Sequence, residues 1–178
     1  YDKLNNNKKY FTAIVNYSNE INNISTIKPA KLNIKPKAGV IGSGTYVKVN
    51  LLKNLLKFNY QIDCISSEKG DSAQFLAKKF NINRVYSGYI NLIKDNDINQ
   101  LFICTRHNLR SKIIVEALER GIDIFVEKPL AINSVELNKI ISSKKNSKST
   151  LNVGFNRRFS PLTIIIKNKL LNKLPIQM

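Results

Sequence analysis

The chain has 178 residues, of which 43% are hydrophobic and 8% aromatic, and it carries a formal net charge of +17. This length is sufficient for one full hydrophobic core, and the composition is typical of a soluble globular protein. No window approaches the roughly 18 consecutive apolar residues of a membrane span, which excludes a membrane-spanning protein. The opening YDKLNNNKKYF has neither the apolar region of a signal peptide nor an initiator methionine, so we expect a piece of a longer chain.

The positive charge does not by itself predict a nucleic-acid-binding protein. The lysines are scattered among asparagines and isoleucines, a mixture that an AT-biased coding sequence produces whatever the function. They form no stripe with interleaved aromatic residues, and the densest group is Lys144, Lys145 and Lys148. Nucleic-acid binding is therefore an alternative supported by charge alone, whereas the attraction of small anionic ligands follows directly from the net charge.

The cysteines predict neither a disulfide nor a metal site. Cys64 and Cys104 lie singly in the apolar runs IDCIS and LFICT, and the chain has one histidine, His107. Neither cysteine belongs to a CxxC pair, and the histidine cannot complete a metal site with them. Reduced thiols packed in strands are typical of a reducing compartment, which indicates a cytoplasmic protein.

Residues 1–36 differ from the remainder of the chain. Residues 2–7 resemble the end of a helix, residues 11–17 (FTAIVNY) are a short β-rich run, and the polar stretch after them contains two prolines. We interpret residues 21–36 as a linker and place a domain boundary near Pro36.

From residue 37 onward, apolar runs alternate with segments of helical periodicity. The predicted strands are continuously apolar, as in a parallel sheet that is covered on both faces. Right-handed crossovers then favour an α/β fold with a doubly wound, mostly parallel sheet. After the run AGVI, the predicted helices are 45–58, 71–80, 89–94, 111–120 and 134–142, and the predicted strands are 61–66, 84–86, 101–105, 122–126 and 150–155.

A glycine turn lies between the first predicted strand and the first predicted helix. Gly42 permits a tight turn, and Gly44 allows a pyrophosphate to approach the backbone closely beside Ser43. The N–H groups of Thr45 and Tyr46, which open the helix, then face the anion. Three residues after Gly44 the dinucleotide-binding pattern asks for glycine or alanine, whereas this chain has valine. The turn predicts dinucleotide binding, and the alternative is a purely structural connection.

The end of the second predicted strand leaves the choice of dinucleotide open. It reads Ser66, Ser67, Glu68, Lys69. Glu68 could bind the hydroxyls of the adenosine ribose, which favours NAD. The two serines and Lys69 could instead hold a 2′-phosphate, which favours NADP.

Three motifs, AGVIGSG, ICTRHNL and FVEKPLAI, occur in this order and together resemble the glucose–fructose oxidoreductase/inositol dehydrogenase (Gfo/Idh/MocA) family. The resemblance covers residues 37–159. It implies an NAD(P)-dependent enzyme that acts on a small sugar-type substrate. It also implies a nucleotide-binding domain followed by a mostly antiparallel sheet domain, which holds the substrate and through which subunits form homo-oligomers.

The segment GFNRRFSPL is similar to a subgroup found with polysaccharide-biosynthesis genes, in which a zinc-type alcohol dehydrogenase-like region comes first. By this resemblance, residues 1–20 are the tail of that preceding region and residues 37–158 are the NAD(P)-binding Rossmann domain. Residues 159–178 are then the start of a truncated substrate domain, beginning with an amphipathic helix from Pro161.

The resemblance also implies the roles of individual residues. Lys128, in EKP, reaches the nicotinamide and the substrate hydroxyl or carbonyl, and it helps to move the proton. Glu127 orients it or contacts the cofactor, and a cis bond is expected before Pro129. Further cofactor contacts are expected from the residues that follow the fourth and sixth strands, Thr105, Arg106, His107, Asn156 and Arg157. The family often has a histidine where this chain has Arg110.

We therefore expect the nucleotide-binding part of an NAD(P)-dependent oxidoreductase for a sugar or nucleotide-sugar-like hydroxyl or carbonyl. Alone, this part is expected to lack turnover, because hydride transfer needs a positioned substrate as well. A non-catalytic dinucleotide-binding or partner-assembly module is the second hypothesis, which the truncation and Arg110 favour. A basic nucleic-acid-binding protein is the third.

Overall fold

The centre of the protein is a six-stranded sheet in which every neighbouring pair of strands is parallel. The computed structural model describes residues 37–170, so the predictions for residues 1–36 and for the chain beyond residue 170 lie outside the described residues. The strands are β1 (Ala38–Ile41), β2 (Ile62–Ser67), β3 (Arg84–Ser87), β4 (Gln100–Ile103), β5 (Asp123–Val126) and β6 (Leu151–Val153). Their spatial order is β3-β2-β1-β4-β5-β6.

A helical segment follows each strand, and the predicted α/β fold with a doubly wound parallel sheet is confirmed. Within residues 37–170, no helix is both long and apolar enough to cross a membrane. The segments are a π-helical turn (Val47–Leu51) that leads into α1 (Leu52–Lys57), then α2 (Asp71–Phe80), α3 (Tyr89–Ile93), α4 (His107–Glu119), α5 (Ser134–Lys145), a 3-10 turn (Asn156–Phe159) and α6 (Pro161–Leu170).

Apolar side chains alternate between the two faces of the sheet and build one core on each face. On one face, Leu101 and Ile103 of β4 pack with residues of α3 and α4 such as Ile113. On the other face, Phe102 packs with the helices that follow β1 and β2, including Leu76. Because both faces are covered, the strands need no polar face, which explains their continuously apolar sequences.

Two helices differ from the prediction at their first turns. The segment predicted as one helix over residues 45–58 contains a π-helical turn, in which the N–H of Leu52 donates to the carbonyl of Val47. Helix α4 begins at His107 rather than at Ser111. The residue before it, Arg106, makes no capping hydrogen bond with its side chain, so the sequence carries no N-cap signal there.

The last described helix, α6, presents its apolar residues to solvent. It begins at Pro161, as predicted, but none of its described side chains is buried. Leu162 is 72% exposed, and Ile166 is 54% exposed. The amphipathic pattern therefore has no counterpart in burial within residues 161–170.

The two thiols are packed in strand or strand-end positions, and this predicts low reactivity. Burial is the main cause that raises the pKa of Cys64 to about 12, from an ordinary value of 9.0. Burial, followed by the Glu127 carboxylate, does the same for Cys104, whose pKa is about 12. A thiolate fraction of about one in ten thousand at pH 8 makes both thiols poor nucleophiles in the folded state.

We expect iodoacetamide at pH 8 to leave Cys64 and Cys104 unmodified in the native protein and to alkylate both after unfolding in guanidinium chloride, as measured by mass spectrometry. Unfolded thiols ionise near their ordinary pKa and folded ones only near 12. The free energy of unfolding should therefore fall as the pH rises from about 9 towards 12. Rapid alkylation of both residues in the native state at pH 8 would contradict the described packing.

Candidate functional site

The predicted site residues lie at the carboxyl edge of the sheet. This edge is where open α/β sheets bind ligands, because neighbouring loops diverge where the strand order reverses. The reversal occurs at β1, which lies between β2 and β4. The strand ends that meet here carry Gly42, Ser43, Gly44, Thr45 and Tyr46 (after β1), Ser66, Ser67 and Glu68 (β2), Thr105, Arg106 and His107 (after β4), Glu127 and Lys128 (after β5), and Asn156 and Arg157 (after β6).

Gly42 is required by the contact between β1 and the end of β4. Its φ of +113° lies in the region that side chains disfavour, and a Cβ placed on it would lie 2.5 Å from the carbonyl oxygen of Cys104. Its N–H donates to the carbonyl of Ser66 at 2.9 Å, so the turn is also tied to β2. Gly42 thus allows the chain to leave the sheet between two strands that touch its backbone on both sides.

Gly44, unlike Gly42, has open space around its backbone. A Cβ placed on it would have no atom within 4 Å, and the residue is exposed. The N–H groups of Thr45 and Tyr46 follow in the first helical turn, where such groups have no intrahelical partner. Beside them, the hydroxyl of Ser43 hydrogen-bonds that of Ser72 at 2.6 Å. The turn therefore leaves open backbone with free donors, the arrangement that binds a phosphate anion.

The three residues at the end of β2 are not equivalent. Ser66 is fully buried, and its hydroxyl has no partner among the described residues. The hydroxyl of Ser67 accepts the N–H groups of Gly70 and Ala73 at 3.1 and 3.3 Å, and so supports the start of α2. Only Glu68 presents its side chain to solvent.

The residues after β5 form a sharp corner, which we call the EKP corner (Glu127, Lys128 and Pro129). The N–H of Glu127 donates to the carbonyl of Ile103 at 3.0 Å and ends the pairing with β4. The bond between Lys128 and Pro129 is cis, as expected from the resemblance. Lys128 is exposed, whereas Oε1 of Glu127 is buried without a hydrogen-bond partner in residues 37–170.

The carboxylate of Glu127 faces the first helical turn and β6. Burial raises the pKa of Tyr46, and the Glu127 carboxylate, which lies beside the phenol, raises it further. Tyr46 is therefore a neutral hydrogen-bond donor. On the other side, a Cβ placed on Gly154 would lie 3.0 Å from Oε1 of Glu127, so a side chain at the end of β6 would require the Glu127 carboxylate to move.

Arg110, in the first turns of α4, connects the EKP corner to the loop after β4. It is only 3% exposed, and its two terminal nitrogens donate to the carbonyls of Pro129 and Thr105, each at 2.6 Å. Burial lowers the pKa of Arg110, and the nearby Cys104 and Glu127 oppose this effect. This contact was not predicted from the sequence, although an arginine within the apolar periodicity of a helix was a signal for it.

The loop after β4 is short because α4 begins at His107. The hydroxyl of Thr105 is buried and has no partner in the described part of the chain. Arg106 and His107 are exposed, and they stand at the open amino terminus of α4. These two side chains, and the N–H groups that open the helix behind them, lie at the same carboxyl edge of the sheet as the EKP corner.

Asn156 and Arg157 follow β6 in a 3-10 turn and are exposed. Their neighbour Arg158 is engaged differently. Its guanidinium donates to the carbonyls of Phe155 and Val153 at 3.0 and 3.2 Å and lies over the Phe155 ring. Arg158 therefore holds the turn together, while Asn156 and Arg157 are exposed to solvent.

The described residues do not favour a catalytic site in the main groove elsewhere on the sheet or a metal site. A groove of about 330 Å³ lies at the opposite edge of the sheet, but its lining of Leu52, Tyr60, Ile62, Ile82 and their neighbours has no carboxylate, amine, imidazole or thiol. Within residues 37–170, no group of three or more His, Cys, Asp and Glu side chains could hold a metal ion.

A family model described as "Oxidoreductase family, NAD-binding Rossmann fold" matches residues 37–155. The chain belongs to this Gfo/Idh/MocA oxidoreductase family. The family's NAD-binding fold accounts for the glycine turn at the point where the strand order reverses, and its match includes the EKP corner.

Known members of the Gfo/Idh/MocA family resemble the chain over this same domain. The chain is 32% identical over 124 residues to the uncharacterized oxidoreductase YrbE of Bacillus subtilis, covering 69% of this chain and 36% of YrbE. It is 25% identical over 123 residues to the myo-inositol 2-dehydrogenase of Thermotoga maritima, covering 69% and 37%. The crystal structure of a probable dehydrogenase from Thermotoga maritima has a TM-score of 0.71 at 26% identity, covering 76% of this chain and 41% of that chain. The matched part thus spans little more than a third of the two curated relatives.

The same substitution at the two glycines of the turn should change the free energy of unfolding by very different amounts. Gly42→Ala places a Cβ against the carbonyl of Cys104 at a positive φ, and we expect a loss of about 2–4 kcal/mol in the free energy of unfolding. Gly44→Ala meets no atom, and we expect a change below about 1 kcal/mol. Urea denaturation of both variants measures the difference, and equal destabilisation would show that the turn is packed differently.

Proposed function

We propose that the chain is the cofactor-binding part of an NAD(P)-dependent oxidoreductase that acts on a hydroxyl or carbonyl of a sugar-type small molecule. The observation that carries this proposal is the meeting of two features at one edge of the sheet. The open backbone at Gly44 follows β1, where the strand order reverses, and the exposed amine of Lys128 follows β5, two strands away at the same edge. Membership of the family and the similarity to a myo-inositol 2-dehydrogenase support the choice of substrate class.

The described residues fit a bound dinucleotide. The pyrophosphate has open backbone at Gly44 and free N–H groups at the start of the helix. Glu68 is exposed at the end of β2, where the adenosine ribose is expected. The unpartnered polar atoms of Thr105 and Glu127 lie at the ends of β4 and β5, on the nicotinamide side. When bound, NAD(P) supplies the hydride acceptor or donor.

Lys128 is the residue of this chain that we assign to proton transfer. Its side chain is exposed at the EKP corner, directly after β5. An ammonium group at this place donates a hydrogen bond to a substrate carbonyl, or accepts the proton of a substrate hydroxyl after losing its own. Glu127 is turned inward to Tyr46 and Gly154, so its carboxylate supports the corner and contacts the nicotinamide ribose side rather than the substrate.

Of the two dinucleotides, we propose NAD. Ser66 is fully buried, so its hydroxyl is closed off from a 2′-phosphate, and the Ser67 hydroxyl is held at the start of α2 by two backbone N–H groups that donate to it. The exposed carboxylate of Glu68 accepts hydrogen bonds from ribose hydroxyls and repels a phosphate. Lys69 beside it reduces this repulsion, but the Glu68 carboxylate still prefers ribose hydroxyls, which donate hydrogen bonds, to a phosphate.

A titration followed by NADH fluorescence tests both the cofactor and its choice, and the chain has no tryptophan that would interfere. We expect saturable NADH binding, NADPH binding about tenfold weaker, and a Glu68→Ala variant in which this ratio approaches one. Glu119→Ala, an exposed carboxylate at the end of α4, is the matched control and should leave the ratio unchanged.

Gly44→Ala, which we expect to fold normally, should bind both NADH and NADPH more weakly, because its methyl group occupies the open backbone that the pyrophosphate approaches. Absence of saturable binding of either dinucleotide to the parent protein would contradict the proposal. An oligonucleotide measured across a range of salt concentrations serves as the control for unspecific attraction by the positive charge.

The role of Lys128 is tested in a chain that carries this domain together with a substrate domain. We expect Lys128→Ala to keep the affinity for NADH and to lower turnover by about 10²–10⁴-fold, the usual contribution of a positioned acid or base. Lys148→Ala is the matched control at an exposed lysine outside the crevice. Unchanged turnover in Lys128→Ala would remove the assignment, and absent turnover with intact NADH binding in the parent would favour a non-catalytic dinucleotide-binding module.

We further propose the setting that the segment GFNRRFSPL indicates. In it, residues 1–20 end a preceding zinc-type alcohol dehydrogenase-like region, residues 159–178 begin the substrate domain, and the protein acts in the cytoplasm in polysaccharide biosynthesis as a homo-oligomer. The DNA on either side of this coding region tests the setting. The setting is wrong if no zinc-type dehydrogenase sequence lies upstream and no substrate-domain sequence lies downstream.

A further inference from the structure

Arg110 is the one charged side chain that is buried within residues 37–170, and burial of a charge is unfavourable unless hydrogen bonds compensate for it. The compensation comes from two backbone carbonyls, those of Thr105 and Pro129, each 2.6 Å from a terminal nitrogen. The Glu127 carboxylate lies near enough to favour the charged form. Both carbonyls belong to loops at the candidate site, so the arginine's hydrogen bonds are directed to the site and not to the core.

Few other hydrogen bonds join the loop after β4 to the EKP corner among the described residues. The pairing of β5 with β4 ends where the N–H of Glu127 donates to the carbonyl of Ile103. Beyond that point, among the described residues, Arg110 supplies the hydrogen bonds that join the loop after β4 to the EKP corner. Its guanidinium is planar with donors in a fixed arrangement, so two simultaneous bonds fix the distance between the two carbonyls.

We propose that Arg110 is a positioning residue for the nicotinamide half of the cofactor site. By holding the carbonyl of Pro129, it sets the position of Lys128, which precedes this proline. By holding the carbonyl of Thr105, it sets the opposite wall of the same crevice. This inference rests on the proposed function and adds a residue that acts on one half of the cofactor only, because the adenine half is bound at Gly44 and Glu68 on the other side of β1.

The test compares two ligands that share the adenine half. ADP-ribose lacks the nicotinamide, so its affinity reports the β1–β2 side, whereas the affinity of NADH reports both sides. Arg110→Met keeps an unbranched apolar side chain but removes the guanidinium and leaves both carbonyls without a donor. Because both loops are at the surface, the carbonyls can turn to water, and the corner shifts while the two cores remain intact.

We expect Arg110→Met to bind ADP-ribose within about twofold of the parent and NADH about tenfold more weakly, the usual effect of losing a hydrogen bond to a charged group. The blue shift of NADH fluorescence on binding should also decrease. Arg120→Met, an exposed arginine at the other end of α4, removes the same charge and should change neither affinity. Arg110→Lys, which keeps the charge and can reach one carbonyl, should fall between the parent and Arg110→Met.

Circular dichroism and thermal unfolding accompany each titration. If Arg110→Met does not fold, Arg110→Lys carries the comparison of NADH with ADP-ribose. If both ligands bind equally more weakly, or if neither variant folds, Arg110 serves the fold as a whole and the inference is wrong. If the affinity for both ligands is unchanged, Arg110 serves neither half of the site, and the inference is wrong as well. If the parent binds neither ligand, the proposed function itself fails, an outcome that the parent alone reveals.

Discussion

The close contact between the end of β1 and the end of β4 is the constraint on which the candidate site depends. β1 is flanked by β2 on one side and β4 on the other, and the chain must leave it without separating the two neighbours. A Cβ at Gly42 would meet the carbonyl oxygen of Cys104 at 2.5 Å, so only glycine allows the three strand ends to stay together. The loops after β2 and β4 then diverge to opposite faces, and the crevice between them is a consequence of the strand order.

Behind the crevice, side chains from three strand ends stabilise one another. Tyr46 follows β1, Arg110 lies in the helix after β4, and Glu127 follows β5. The carboxylate of Glu127 favours the charged form of the buried arginine, and it also raises the pKa of Tyr46 in addition to the effect of burial. The buried charge of Arg110 is compensated mainly by the two carbonyls to which it donates, and Glu127 adds to this effect.

The fold could be predicted from the sequence because its signals are local. Helix α2, Asp71–Phe80, was predicted at both ends, and the alternation of apolar strands with helices was sufficient for the doubly wound sheet. The features that the sequence did not predict depend on tertiary structure. The start of α4 has no capping side chain, so the geometry of the preceding loop decides where the helix begins. Ser66 was predicted as a cofactor contact that, with Ser67 and Lys69, could hold a 2′-phosphate, and its full burial follows from its position in the sheet, which periodicity at a strand end does not specify.

The two sides of the crevice are built by different means. On the adenine side, open backbone at Gly44 and free N–H groups carry the binding surface, so the requirement is for glycine and little else. On the nicotinamide side, the side chain of Arg110 holds two carbonyls in place. A neutral histidine, which the family often has at position 110, offers one donor and one acceptor, whereas an arginine offers five donors. Arg110 can therefore hold the carbonyls of Thr105 and Pro129 at once, and the nearby Glu127 offsets the unfavourable burial of its charge.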